Sequence, residues 1–182
     1  MIQPQFLKFL FLIFYLYLNM FLKIKSFFKF LFSILVFSAA TSVYAQQSRL
    51  IDDHFKALSQ HDVKAIASGY ADSAKVFSPN WEGLKTGKAG VTEVYTRYFS
   101  STPDLFYQVD NIIYAGDYVV AEYTSGGTLS NPEGNTPDYM KGKKYTLNYC
   151  AIFLIKDGKI LKETDYFDQV AFLRQVGFFD QK

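Results

Sequence analysis

Apolar residues recur along this chain first at helical and then at strand spacing. Ile51, Phe55 and Leu58 fall at i, i+4 and i+7, with Asp52, Asp53, Lys56 and Gln60 on the other side, which predicts an amphipathic helix. Asp62 is placed to cap a second short helix, whose Val63, Ile66, Ala67 and Tyr70 keep the i, i+3, i+4, i+7 pattern. A short apolar piece, Ala74–Phe77, precedes the loop Ser78–Gly83, and a third helix carries Val91, Val94, Tyr95 and Tyr98 on one stripe. From Leu105 onward the reading changes to strands. Leu105–Tyr114 and Tyr118–Thr128 flank the turn Ala115-Gly116-Asp117. Tyr145–Ile155 and Lys159–Phe167 flank Lys156-Asp157-Gly158, and Asp-Gly between apolar runs is the strongest short-range hairpin signal. Asn131–Asp138 joins the two hairpins. A short closing helix has Asp168 as N-cap, Phe172, Leu173 and Val176 as its apolar face, and Gly177 as C-cap.

Helices first and an antiparallel meander second predict an α+β domain. The expected shape is a cone: a curved antiparallel sheet packed against three N-terminal helices, with the short C-terminal helix at its end. Such a cone has a cavity at its open end, and aromatic residues to line it are abundant.

Composition separates the first 45 residues from the rest. They contain Lys8, Lys23, Lys25 and Lys29, no acidic residue, and 13 of the 34 aromatic residues. Met20–Lys29 supplies a positive n-region and Phe30–Ala40 an apolar h-region too short to span a bilayer. Val43-Tyr44-Ala45 supplies the small-residue ending of a cleavage site. Residues 1–45 therefore read as a signal peptide, with Met20 the expected true start, and the chain as exported, periplasmic or secreted. The alternative is that Phe6–Leu22 is a membrane anchor. Without the leader, Lys and Arg fall from 19 to 15 against 17 acidic residues. A mildly acidic domain over 46–182 has no basic stripe to hold nucleic acid or an anionic membrane. Cys150 is the only cysteine, so no internal disulfide forms.

Four segments carry a resemblance to a known family. Tyr70-Ala-Asp-Ser-Ala-Lys-Val-Phe77 resembles a helix end followed by a first strand. Glu122-Tyr-Thr-Ser-Gly-Gly-Thr128 resembles a strand ending in a Gly-Thr pair, and Asp157-Gly-Lys-Ile160 a last hairpin. Asp165-Tyr-Phe-Asp-Gln-Val-Ala-Phe-Leu-Arg-Gln-Val-Gly177 resembles a closing strand and helix. Together they resemble the SnoaL-like domains of the nuclear transport factor 2 superfamily, which includes ketosteroid isomerase and limonene epoxide hydrolase. The resemblance implies the cone fold. It leaves open cyclase, isomerase, hydrolase, dehydratase and non-catalytic binding functions, because fold does not fix function.

Along the last strand Leu161, Glu163, Asp165 and Phe167 share one face. The resemblance places Asp165 at the pocket acid of the epoxide hydrolases. A carboxylate on an apolar wall has a raised pKa, which suits acid or base work; the alternative is a structural Asp165 paired with a backbone amide or a Lys. The hydrolase constellation is otherwise missing, since Tyr123-Thr-Ser125 stands where that family has Arg-x-Asp, and Val76 and Ser78 where it has Tyr and Asn. Asp165 facing Tyr123 suits proton abstraction beside a carbonyl, with the phenol stabilising the enolate. Trp81, Tyr95, Ser125, Leu147, Tyr149 and Phe167 are the expected ligand-binding positions, Trp81 as a lid. The bland alternative makes the tyrosines cavity lining and Trp81 a cover for the helix–sheet seam. His54 and His61 lack neighbours of ligand spacing, so no metal and no cofactor is expected.

The chain thus reads as an exported domain binding a small, largely apolar molecule, as an isomerase- or cyclase-type enzyme or as a non-catalytic binding or dimerisation module. A homodimer through Tyr118, Val120, Ile152 and Leu154 on the outer sheet face is expected. Cleavage at Ala45|Gln46 predicts that intact mass or N-terminal sequencing of exported protein finds Gln46 first. A mature species retaining Phe6–Leu22 supports the anchor instead.

Overall fold

The computed structural model describes residues 20, 23, 43–77, 84–132 and 136–180. The chain divides into two compact units, Met1–Ala45 and Gln46–Lys182. Most of the leader, the anchor candidate Phe6–Leu22 apart from Met20, and the loop holding Trp81 lie outside the described residues. Among the described residues no helix is long and apolar enough to cross a membrane. The second unit carries every feature below.

The first helix, α1 (residues 43–59), buries Ile51, Phe55 and Leu58 as the spacing predicts, and His54 with them. Helix α2 (Val63–Ser68) starts where the Asp62 carboxylate accepts the Ala65 amide at 2.9 Å. It stops two residues short of the expected Tyr70. Gly69 caps it, and Tyr70, with no solvent exposure, opens strand β1 (Tyr70–Phe77). The first inward residue of a strand and the next position of a helical stripe both face the core, so the apolar pattern alone does not mark the boundary. After the two-residue strand β2 (Lys85–Thr86), helix α3 (Gly87–Ser101) buries Val91, Val94 and Tyr95.

Four long strands follow: β3 (Phe106–Ala115), β4 (Tyr118–Thr128), β5 (Lys144–Lys156) and β6 (Lys159–Phe167). They form the expected antiparallel meander, and Asp157 and Gly158 turn its last hairpin with φ of 51° and 69°, the left-handed pair that a tight two-residue hairpin favours. The sheet as a whole is mixed, in the order β2-β1-β6-β5-β4-β3, because β1 lies parallel to β6. A parallel neighbour needs a crossover, and here the crossover is the whole of α3 and the meander. The result is an α+β domain with a six-stranded sheet whose core is packed by α1, α2 and α3.

Two details fix the end of the sheet where the site lies. A Cβ on Gly126 would sit 2.1 Å from the Tyr145 carbonyl oxygen, and one on Gly127 would sit 2.5 Å from Thr102 Cγ2, so β4 passes its neighbours at a distance only glycine permits. The closing helix α4 (Gln169–Gln175) is capped by Asp168, whose carboxylate accepts the Ala171 amide at 3.0 Å. Helix α4 is tied to β5 beyond the end of β6, where the Gln175 side chain accepts the Thr146 amide at 2.8 Å and donates to the Thr146 carbonyl at 2.9 Å. It thereby satisfies backbone groups that have no strand partner on that side. Phe172, Leu173 and Val176 pack with Leu129 and Met140 in a small second apolar cluster.

Candidate functional site

The register of the meander sets three rows of side chains on the helix-facing side of the sheet. Tyr114, Val119, Phe153 and Glu163 form one; Ile112, Ala121, Ala151 and Asp165 the next; Tyr123, Tyr149 and Phe167 the third. The rows therefore pass from a packed apolar layer, through a pair of alanines, to stacked aromatics. Tyr123 and Tyr149 lie face to face with centroids 5.1 Å apart and planes 7° from parallel, and Tyr107 leans on Tyr123 at 6.0 Å.

Above them opens a cavity of about 490 Å³, within the range of small-molecule sites. Tyr107, Tyr123 and Tyr149 floor it, Tyr95 and Tyr98 descend from α3, and Met140 and Phe172 close the far side. Asp165 reaches its wall from β6. The lining is aromatic, with hydroxyls, one carboxyl and Arg97 as its polar groups.

Asp165 is 7% exposed, and its Oδ1 is buried with no hydrogen-bond partner. Burial first, and the neighbouring Glu163 second, push its carboxyl well above the usual range. Glu163, 2% exposed, is equipped differently. Tyr95 OH donates to it at 2.9 Å from Oε1 and 3.1 Å from Oε2, and Tyr70 OH donates to Oε2. Burial raises the Glu163 carboxyl to about 7, while the two phenols pull it back. Burial also raises the hydroxyls of Tyr70, Tyr95, Tyr107 and Tyr123 well above their ordinary value, so they stay neutral donors. His54 sits edge-on to Tyr70, Tyr95 and Phe153, with both ring nitrogens unpartnered, and burial lowers it to about 3. It is a neutral core ring at physiological pH. Among the described residues no group of acids, histidines and cysteine is placed to hold a metal.

The structure brings Asp165, Tyr123, Tyr95, Ser125 and Tyr149 to one cavity wall. The Ser125 hydroxyl is engaged, donating to the Phe106 carbonyl at 2.7 Å, and the Tyr95 hydroxyl is committed to Glu163. Leu147, expected on the wall, is instead buried in the sheet beside Ser125. Phe167 is also off the wall: it packs against Tyr149 at 5.0 Å and borders a shallow depression with Tyr166 and Cys150. Both point inward by strand alternation, but the cavity does not extend under them. Sequence reasoning missed Glu163, although alternation had placed it on the face of Asp165. Tyr98 was already on the α3 stripe, and Ser101 lies one helical step beyond it. Met140 and Pro137 come from an irregular connection that carries no periodic signal.

A curved sheet under helices, with an aromatic cavity and a buried acid on its last long strand, is the nuclear transport factor 2 fold. The chain matches the SnoaL-like domain family over residues 51–163, and it belongs to that family. Among curated proteins there is no sequence match. Solved structures agree on the fold. One, described as a SnoaL-like polyketide cyclase from Jannaschia sp. CCS1, is 16% identical with a TM-score of 0.65, covering 72% of this chain and 92% of the other. IdmH from Streptomyces antibioticus, described as a polyketide cyclase, is 22% identical with a TM-score of 0.60, covering 71% and 97%. TerC, co-crystallised with polyporic acid, is 23% identical with a TM-score of 0.60, covering 72% and 98%.

The acids set a stability signature. A carboxyl whose folded pKa is raised contributes stability that is fully present below its unfolded value and lost as pH rises through the folded one. For Glu163 that window runs from about 4.3 in the unfolded chain to about 7. Melting temperature is therefore expected to fall as pH rises through this window. Asp165→Asn removes one buried ionisable group, so the variant should melt at or above the parent at neutral pH. A charged, cation-paired Asp165 predicts the reverse, a loss of about 3–5 kcal/mol, and thermal melts of both proteins decide.

Proposed function

We propose that the chain is an exported SnoaL-like domain that binds a small, largely apolar molecule bearing an acceptor oxygen and performs an isomerase- or cyclase-type proton transfer on it. The observation that carries this reading is the buried, unpartnered Oδ1 of Asp165 in the wall of an aromatic cavity. An unpaired buried polar atom costs about 1–3 kcal/mol, and a bound ligand oxygen would satisfy it. The fold neighbours described as polyketide cyclases, and the one crystallised with polyporic acid, favour a flat oxygenated ligand.

Asp165 rests as the neutral acid and Tyr123 as a neutral phenol. Both donate toward a substrate carbonyl, and the apolar walls strengthen each contact by lowering the local dielectric. In enolisation the α-proton leaves to water while Asp165 gives its proton to the carbonyl oxygen. In ring closure an enol carbon attacks the carbonyl carbon, the π electrons move to oxygen, and Asp165 protonates that oxygen. The enol O–H proton goes to solvent, and Asp165 is reprotonated from water as product leaves.

The rival reading, a non-catalytic binder with the same cavity, draws on the stacked Tyr123 and Tyr149, which can hold an aromatic ligand without chemistry. Deuterium exchange at the α-carbons of 2-tetralone, followed by NMR, separates them. Catalysis predicts exchange above the buffer rate, reduced about 100-fold or more by Asp165→Asn and less by Tyr123→Phe. Exchange equal in parent and Asp165→Asn, with 1-naphthol bound equally by both, establishes the binder.

The domain pairs with a second copy through the outer sheet face. Ile113, Val120 and Ile152 line up across three strands, and Ile113 and Tyr118 are about half exposed, which supports an interface. Light scattering should give a dimer, converted to monomer by Val120→Lys. A monomeric parent at micromolar concentration overturns this part.

A further inference from the structure

Enolisation or ring closure by Asp165 and Tyr123 leaves Glu163 without a role, yet Glu163 is the best-held ionisable group in the core. We propose that Glu163 is the charge-holding partner of Asp165: of the two buried carboxyls it is Glu163 that ionises, on the phenols of Tyr70 and Tyr95, and its charge keeps the proton on Asp165. Glu163 is thus a positioning residue, placing a proton rather than a side chain. The inference rests on reading Asp165 as the acid of the cavity.

The two carboxyls hang from one face of β6, two residues apart, which sets their Cα atoms roughly 7 Å from each other. Both are almost fully buried, so desolvation penalises the charge on each. Hydrogen bonds break the tie. Both Glu163 oxygens accept from phenols, while Asp165 Oδ1 accepts from nothing. Donors to a carboxylate favour its ionised form, and two like charges this close in a dry core do not both form cheaply. The single charge settles where the donors are.

The surrounding groups leave this order intact. His54 of α1 approaches the Tyr70 and Tyr95 rings but stays neutral down to about 3. Tyr70 of β1, Tyr95 of α3, Tyr107 of β3, Tyr123 of β4 and Tyr149 of β5 are all raised and neutral. Arg97 of α3 also lines the cavity, but burial and Glu163 rather than a cation set the direction of the Asp165 carboxyl. The ordering also agrees with the direction of both acids, Glu163 near 7 and Asp165 held up in part by Glu163. Tyr95 joins the two halves: its ring forms cavity wall, and its hydroxyl holds the buried charge.

The test is a carboxyl titration of the ligand-free protein labelled with 13C at Asp Cγ and Glu Cδ, with signals assigned through Asp165→Asn and Glu163→Gln. In the parent, Glu163 should ionise first and Asp165 at distinctly higher pH. Glu163→Gln should lower the Asp165 midpoint by about one unit or more. Tyr95→Phe, which deletes one donor, should raise the Glu163 midpoint, and it decides the matter should Glu163→Gln fail to fold. A purely structural Glu163 would change melting temperature and leave the order of titration alone. Asp165 ionising first, or an Asp165 midpoint unmoved by Glu163→Gln, or a Glu163 midpoint unmoved by Tyr95→Phe, overturns the proposal. No ligand enters the measurement. Absent 2-tetralone exchange with the expected titration order would sink the catalytic reading and leave the charge assignment standing.

Discussion

Two carboxyl groups share one face of the last long strand, sunk among tyrosines near the middle of the domain. Burial makes ionisation expensive for both, and the rest of the site can be read as the response to that constraint. Tyr70 and Tyr95 converge on the deeper acid from β1 and α3, which draws a strand and a helix to the same point. The shallower acid keeps an unpartnered oxygen at the cavity wall. Most of that wall is tyrosine rings and aliphatic side chains, and this apolar lining supplies the low dielectric that makes a neutral carboxyl the resting form.

Much of this arrangement was legible in the sequence. The α1 stripe, the Asp62 and Asp168 caps and the Asp157-Gly158 turn are local signals, and each appears where local chemistry put it. Strand alternation placed Asp165, and the register then brought Tyr123 and Tyr149 beside it. What was not legible depends on distant partners. Tyr70 reads as helix by spacing and is strand because it pairs with Ile160 of β6, a partner 90 positions away. The parallel pairing of β1 with β6 joins segments whose patterns say nothing about each other. His54 occupied the i+3 position of the α1 stripe, and its polar ring masked a plain core residue. Leu147 and Phe167 met the inward rule and still missed the cavity, because alternation gives a side and not a depth.

The glycines at 126 and 127 and the Gln175 amide solve a different problem, that of finishing a sheet beside a hole. A cavity needs walls that do not collapse into it, yet the strands around it run out of partners there. Close approach at Gly126 lets the β4 and β5 backbones meet without side chains between them. The Gln175 amide then supplies the missing partner on the far side of β5. Family membership accounts for the frame these devices hold open, whereas the acids and phenols within it are placed by this chain's own residues.

The span between Tyr70 and Glu163 bears on how the domain folds. They stand 93 positions apart, so the contact that houses the deeper acid closes a loop encompassing most of the domain. Long-range closure of that kind is slow, since chain entropy is spent before the contact returns anything. In the unfolded chain both carboxyls are hydrated and ionise as ordinary side chains. Folding therefore takes up protons at the acids, and alkaline conditions oppose the packing that brings these distant segments together.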